Sequence, residues 1–132
     1  MADKKKILVV EVVEDSKELL SVLSDKLVSA GYKVSRLTNG KTGLEWALNN
    51  HPDIILLDLL MPVMDGKEML SKLRQDKWGA KAPVIILTNL NDNTSIYETI
   101  GIGTSSSLND YCVKAETSLE EIIDLIQKKL LR

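Results

Sequence analysis

A single cysteine, Cys112, stands among 132 residues. No internal disulfide can form, and nothing points to an oxidising compartment. Long apolar runs are missing as well. The run that follows the polar start MADKKK, Ile7 to Val10, is too short for a signal-peptide core or a membrane span. A charge excess of either sign is also missing. With a net charge of −2 and 27% charged residues, the composition argues against disorder, a broad nucleic-acid footprint and a basic membrane patch. These absences leave an expectation of a soluble, cytoplasmic chain, one domain long over residues 1–132 and large enough to close one core. Residues 1–5 read as a flexible N-terminal extension. No linker, second domain or low-complexity tract interrupts the rest.

Three apolar runs organise what is present: ILVV at 7–10, continuing past Glu11 into Val12 and Val13; DIILLDLL at 53–60; and PVIILT at 83–88. Each is short, rich in Ile, Val and Leu, and without clean alternation, which suits strands buried on both faces of a parallel sheet. Lys33–Leu37 and Asp110–Val113 are weaker strand candidates. Helical stripes lie between the runs. Leu19, Leu20, Leu23 and Leu27 form the first, which Gly31 stops. Leu44, Ala47 and Leu48 form the second, and Met69, Leu70 and Leu73 the third, after an Asp65-Gly66 turn. Ile96 and Ile100 mark a fourth. The fifth is the best defined: Thr117 and Ser118 precede Glu120 and Glu121 in a capping-box arrangement. Leu119, Ile122, Ile123, Ile126 and Leu130 then share a face, and Lys128, Lys129 and Arg132 suit the negative end of the helix dipole. Strand and helix alternate about five times, which implies an α/β fold with right-handed crossovers, a parallel sheet and helices on both faces. Thr104-Ser105-Ser106-Ser107 reads as an exposed loop before the last strand.

In such a sheet, ligands bind beyond the C-terminal strand ends, where neighbouring crossovers leave on opposite faces. The polar residues that end the strands are therefore the candidates: Glu14-Asp15 after the first, Asp58 in the third, Thr88-Asn89 in the fourth, and Lys114 after the fifth. Singly, most have ordinary explanations. Glu14 and Asp15 suit a helix N-terminus, Thr88 suits a strand, and Lys114 suits solvent. Asp58 is different, because it interrupts the apolar run IILLDLLMP, where burial without a partner is costly. Together the residues define a chemistry. Two carboxylates about 4 Å apart repel by roughly 4 kcal/mol at an effective dielectric near 20. Such a cluster raises a pKa or binds a cation, and a hard divalent ion such as Mg²⁺ suits oxygen ligands. With the charge offset, a carboxylate can attack phosphorus, while Thr88 and Lys114 supply a donor and a cation for phosphoryl oxygens.

On these residues the sequence resembles the response-regulator receiver family, the phosphoacceptor half of two-component signalling. The likeness runs from about Lys6 to the C-terminus and is most specific in PDIILLDLLMPVMDGKEML, residues 52–70. It implies a doubly wound five-stranded parallel sheet of flavodoxin-like order 2-1-3-4-5. It also implies Asp58 as phosphoacceptor, and Mg²⁺ held by Asp15, Asp58, the Leu60 carbonyl and Glu14 through water. Thr88, Asn89, Tyr111 and Lys114 become the switch and phosphate-binding residues. A sensor histidine kinase or histidine phosphotransfer protein is the implied donor. The downstream partner is a protein that meets the face formed by the fourth helix, fifth strand and fifth helix, with no direct contact to nucleic acid or membrane. The chain ends directly after the fifth helix, so output is expected through protein contact or phosphate relay, with no catalysis beyond self-phosphorylation and self-dephosphorylation.

The sequence departs from the family pattern in three places. VVE is written twice in ILVVEVVED, so Glu11 is an alternative strand-end acid to Glu14-Asp15. The stretch before Tyr111 is longer than usual and carries the serines. Lys114 is followed by Ala115 where proline is usual, so the family's cis Lys-Pro bond is not expected. An interaction module that keeps the fold but is impaired in phosphorylation, or engineered, is therefore the alternative. A magnesium-dependent phosphatase is disfavoured, because Leu60 stands where its second Asp would be. A flavin-binding module is disfavoured because the loop EDSKE lacks a Ser/Thr/Gly-rich phosphate cradle. His51, before Pro52, reads as a solvated junction residue. Trp46 and Trp78 read as packing residues, and Cys112 as a buried strand residue.

Overall fold

The computed structural model describes residues 9–13, 16–58, 64–88, 109–113 and 117–130, with the backbone alone at 9–13, 88, 109–111 and 113. Its strands are β1 (Val9–Val13), β2 (Lys33–Leu37), β3 (Ile54–Asp58), β4 (Val84–Thr88) and β5 (Asn109–Val113). Its helices are α1 (Lys17–Ser29), α2 (Gly40–Asn50), α3 (Gly66–Gln75) and the C-terminal helix α4 (Leu119–Leu130), with a short 3₁₀ turn at Gly79–Lys81. The helical pattern at Ile96–Ile100 and the serine loop fall outside the described residues.

All four strand pairings are parallel, in the order β2-β1-β3-β4-β5. The apolar run at 53–60 yields a five-residue strand, every residue of which is buried. Its side chains divide by parity, as a strand requires. Ile54 and Leu56 join Leu20, Leu23 and Leu27 of α1 and Ile122, Ile123 and Ile126 of α4 in one cluster. Ile55 and Leu57 join Ala47 of α2 and Met69, Leu70 and Leu73 of α3 in the other. The sheet is thus covered on both faces, and β3 is its spine. Cys112 is buried in the first cluster.

Local chemistry sets the helix ends. Ser16 caps α1 by accepting from the Leu19 amide. The helix stops at Ala30, and Gly31 takes the left-handed conformation, φ 100°, that favours glycine. The Asp65-Gly66 turn is a helix cap: Asp65 Oδ1 accepts from the Glu68 amide at 2.8 Å and Gly66 is already helical. At α4 the capping box forms reciprocally. The Glu121 amide donates to Ser118 Oγ at 3.1 Å, and the Ser118 amide to Glu121 Oε1 at 3.0 Å. His51 closes α2 in the left-handed region and is exposed, but it is not merely solvated. Its ring stacks on Trp78 with centroids 4.3 Å apart.

Candidate functional site

The crossovers set where a ligand can sit. The chain leaving β1 enters α1 on one face of the sheet, and the chain leaving β3 leads to α3 on the other. These strands are neighbours, so a crevice opens between their C-terminal ends. Asp58 ends β3 at that crevice, only 4% exposed, after four residues that are completely buried.

The register aligns the other strand ends with it. Val13, the last residue of β1, pairs with Leu57; Asp58 pairs with Leu87; Thr88, the last residue of β4, pairs with Val113, the last of β5. The sheet therefore brings the Asp58 carboxyl and the Thr88 backbone to one edge. Tyr111 lies deeper, opposite Ile86. Glu11 also lies inside the sheet, opposite Ser35 and Ile55. Glu14, Asp15, Leu60, Asn89 and Lys114 fall outside the described residues. In sequence, Glu14 follows Val13, Asn89 follows Thr88 and Lys114 follows Val113. Among the described residues, no three His, Cys, Asp or Glu side chains form a group that could hold a metal. Among the described side chains Asp58 supplies a hard oxygen donor there, which suits Mg²⁺ rather than a softer ion.

The rim of this edge is tied down. The Gly40 amide donates to the Met64 carbonyl at 3.1 Å. A Cβ at Gly40 would overlap that same carbonyl oxygen, so only glycine allows the approach. Asn39 Oδ1 caps α2 by accepting from the Thr42 amide at 2.9 Å. The start of α2 and the chain entering α3 are thereby fixed to each other beside the crevice.

A second buried charge lies at the opposite edge, and sequence reasoning missed it. Arg74, near the end of α3, is 7% exposed. Its Nη1 donates to the carbonyls of Gly79 at 2.7 Å and Ala82 at 2.6 Å, which holds the turn leading into β4. Burial pushes its pKa down to about 10, which leaves it protonated at neutral pH. The available signal was its place four residues after Leu70, on the flank of the apolar stripe. A separate groove of about 360 Å³ runs along α4 beside β5, lined by Cys112, Thr117, Glu121, Asp124, Leu125 and Lys128.

Comparison with known proteins places this arrangement. Residues 10–127 match the family model of the response regulator receiver domain. The chain is 33% identical over 121 residues to the response regulator ArlR of Staphylococcus aureus, covering 92% of this chain and 52% of ArlR. It thus spans about half the length of the curated relatives it matches. Among solved structures, the Francisella response regulator 1452 receiver domain is 28% identical with a TM-score of 0.84, covering 95% of this chain and 98% of that one. The receiver domain of the sensor histidine kinase PA1611 from Pseudomonas aeruginosa is 24% identical with a TM-score of 0.84, covering 96% and 100%. It is described with a magnesium ion coordinated in its active-site cleft. At that identity the likeness speaks for the fold alone.

Proposed function

Because the chain belongs to the response regulator receiver domain family of two-component signalling, we propose that Asp58 accepts a phosphoryl group from a histidine kinase or histidine phosphotransfer protein. The observation that carries this is the place of Asp58: a buried carboxylate closing the central strand at the sheet's switch point. One Asp58 oxygen forms the new O–P bond as the donor's P–N bond breaks, and the electron pair stays with the donor nitrogen. Bound Mg²⁺ would supply positive charge for the phosphoryl oxygens. Asp58, Asp15, the Leu60 carbonyl and Glu14 are its proposed ligands. Thr88, which ends the neighbouring strand, and Asn89, next in sequence, would donate to the phosphoryl group, and Lys114 would neutralise it. Enzymatic turnover beyond self-phosphorylation and self-dephosphorylation is not part of this function.

The same reading makes the chain a cytoplasmic switch in a doubly wound fold. Among the described residues no helix is long and apolar enough to cross a membrane. Output passes from Thr88 and Tyr111 to the surface of β5 and α4, where the groove beside Leu125 offers a partner protein a mixed apolar and charged face. The competing reading keeps the fold without phosphorylation, and the place of Glu11 inside β1 favours it. Intact-mass analysis after treatment with acetyl phosphate and Mg²⁺ decides between the two. A gain of one phosphoryl group that Asp58→Asn abolishes is expected. No gain, or an adduct mapped elsewhere, overturns the proposal.

A further inference from the structure

The repeated VVE has a structural consequence at β1. In the structure Val10 lies opposite Val34 and Ile54, Glu11 opposite Ser35 and Ile55, Val12 opposite Arg36 and Leu56, and Val13 opposite Leu37 and Leu57. Position 11 therefore has a strand on each side and a helical layer on each face of the sheet. An acid at such a position is costly unless its carboxylate is satisfied. The sequence offers an escape. Slide β1 by three residues, and Ile7, Leu8, Val9 and Val10 fall opposite Ile54, Ile55, Leu56 and Leu57. All four positions are then apolar, where the observed register has three valines and an acid. Register is strongly specified when one face of a strand is polar, but ILVV is apolar on both faces, so an odd-numbered slip exposes nothing. Glu11–Val13 then leave the strand and lengthen the connection to the Ser16 cap of α1, and loop lengthening costs little.

We propose that β1 exchanges between these two pairing registers, three residues apart. The exchange stands on the strand itself; its consequence for a cation rests on the phosphoacceptor function. In the observed register the strand is followed by Glu14-Asp15, a pair of acids. In the slipped register it is followed by Glu11-Val12, a single acid. A divalent cation at the crevice binds the pair better, so it draws β1 into the observed register and couples site assembly to strand pairing.

Saturation-transfer NMR on the whole chain, read at the amides of Ser35 and Ile55, tests the exchange. Deleting residues 12–14 leaves ILVV followed directly by Glu11-Asp15 and fixes the slipped pairing. Glu11→Val removes the charge that drives the slip. The expected result is a minor state in the unaltered chain whose shifts coincide with those of the deletion variant. That state should lose at least tenfold in population in Glu11→Val and diminish on adding Mg²⁺. If the deletion variant fails to fold, abolition of the minor state by Glu11→Val still supports the exchange. Flat profiles in the unaltered chain, or a minor state that Glu11→Val leaves in place, overturn it. A minor state that Glu11→Val removes but Mg²⁺ leaves unchanged preserves the exchange and removes its coupling to the cation. Loss of Asp58 phosphorylation alone would bear only on the function, because the register signal does not depend on it.

Discussion

Asp58 and Arg74 are both charged, both buried, and belong to one β3–α3–β4 unit, yet they sit at opposite edges of the sheet and serve opposite ends. Arg74 turns one guanidinium nitrogen to the backbone. Two carbonyls, of Gly79 and Ala82, lie within 2.7 Å of one guanidinium nitrogen and fix the turn into β4. Asp58 closes a strand of buried aliphatics at the crevice where crossovers diverge. Burial of a charge is therefore not itself a functional signal. What separates the two is what the group faces: a backbone turn that a cation satisfies, or a crevice where ligands bind in folds of this kind.

Removing Arg74 should do the larger damage. Arg74→Met takes the guanidinium donor from the Ala82 carbonyl, at about 1–3 kcal/mol, while the Gly79 carbonyl keeps the Ala82 amide at 3.3 Å. The net expectation is a loss of roughly 1–3 kcal/mol, or about 8 °C in melting temperature for a domain of this size. The fraction that remains folded should still gain the Asp58 adduct. A melting temperature within about 3 °C of the parent would show that the turn holds without the guanidinium.

Asp58→Asn should act the other way round, removing the adduct while sparing the fold. The amide keeps the shape and sheds a buried charge. Urea unfolding without divalent ions should shift by less than about 1 kcal/mol. A loss above roughly 2 kcal/mol would show that the carboxylate holds the fold as Arg74 does, and the contrast between the two edges would collapse.

How legible each edge was follows from the distance over which its signal acts. The Asp58 edge was readable because IILLD carries its own contradiction, a charge at the end of an apolar run, within a few residues of sequence. The caps at Asp65 and Ser118 were equally local, although Asp65-Gly66 proved to be a cap rather than a free turn. The opposite edge was not readable in this way. Arg74 in LSKLRQ looks like a solvated cation until Gly79 and Ala82 are brought to it by the 3₁₀ turn. The stacking of His51 on Trp78 joins the end of α2 to the chain before β4, which no periodicity announces. At β1 the repeat left the strand's span open. Pairing with β2 and β3 places Val9–Val13 in it. Glu14, Asp15, Leu60, Asn89 and Lys114, which carry much of the proposed chemistry, lie outside the described residues, and their roles rest on the sequence reading.

The smallest expected effect is an invariance, and its sign follows from linkage. Arg74 is a base whose folded pKa, about 10, lies below the ordinary guanidinium value because of burial. Between those values the unfolded chain binds more protons than the folded one, so Arg74 makes stability rise with pH there. Below about 10 both states hold the proton, and the cost of burying the charge is constant. The stability difference between the parent and Arg74→Met should therefore stay level, within about 0.5 kcal/mol, from pH 6 to 9, and widen only above pH 10 as the parent gains. Urea titrations at several pH values measure it. A gap that changes by more than about 1 kcal/mol between pH 6 and 9 would mean that the cation is coupled to a group titrating near neutrality. Arg74 would then be part of a charge network, and the division between a cation that holds backbone and an anion that faces ligand would fail at its structural end.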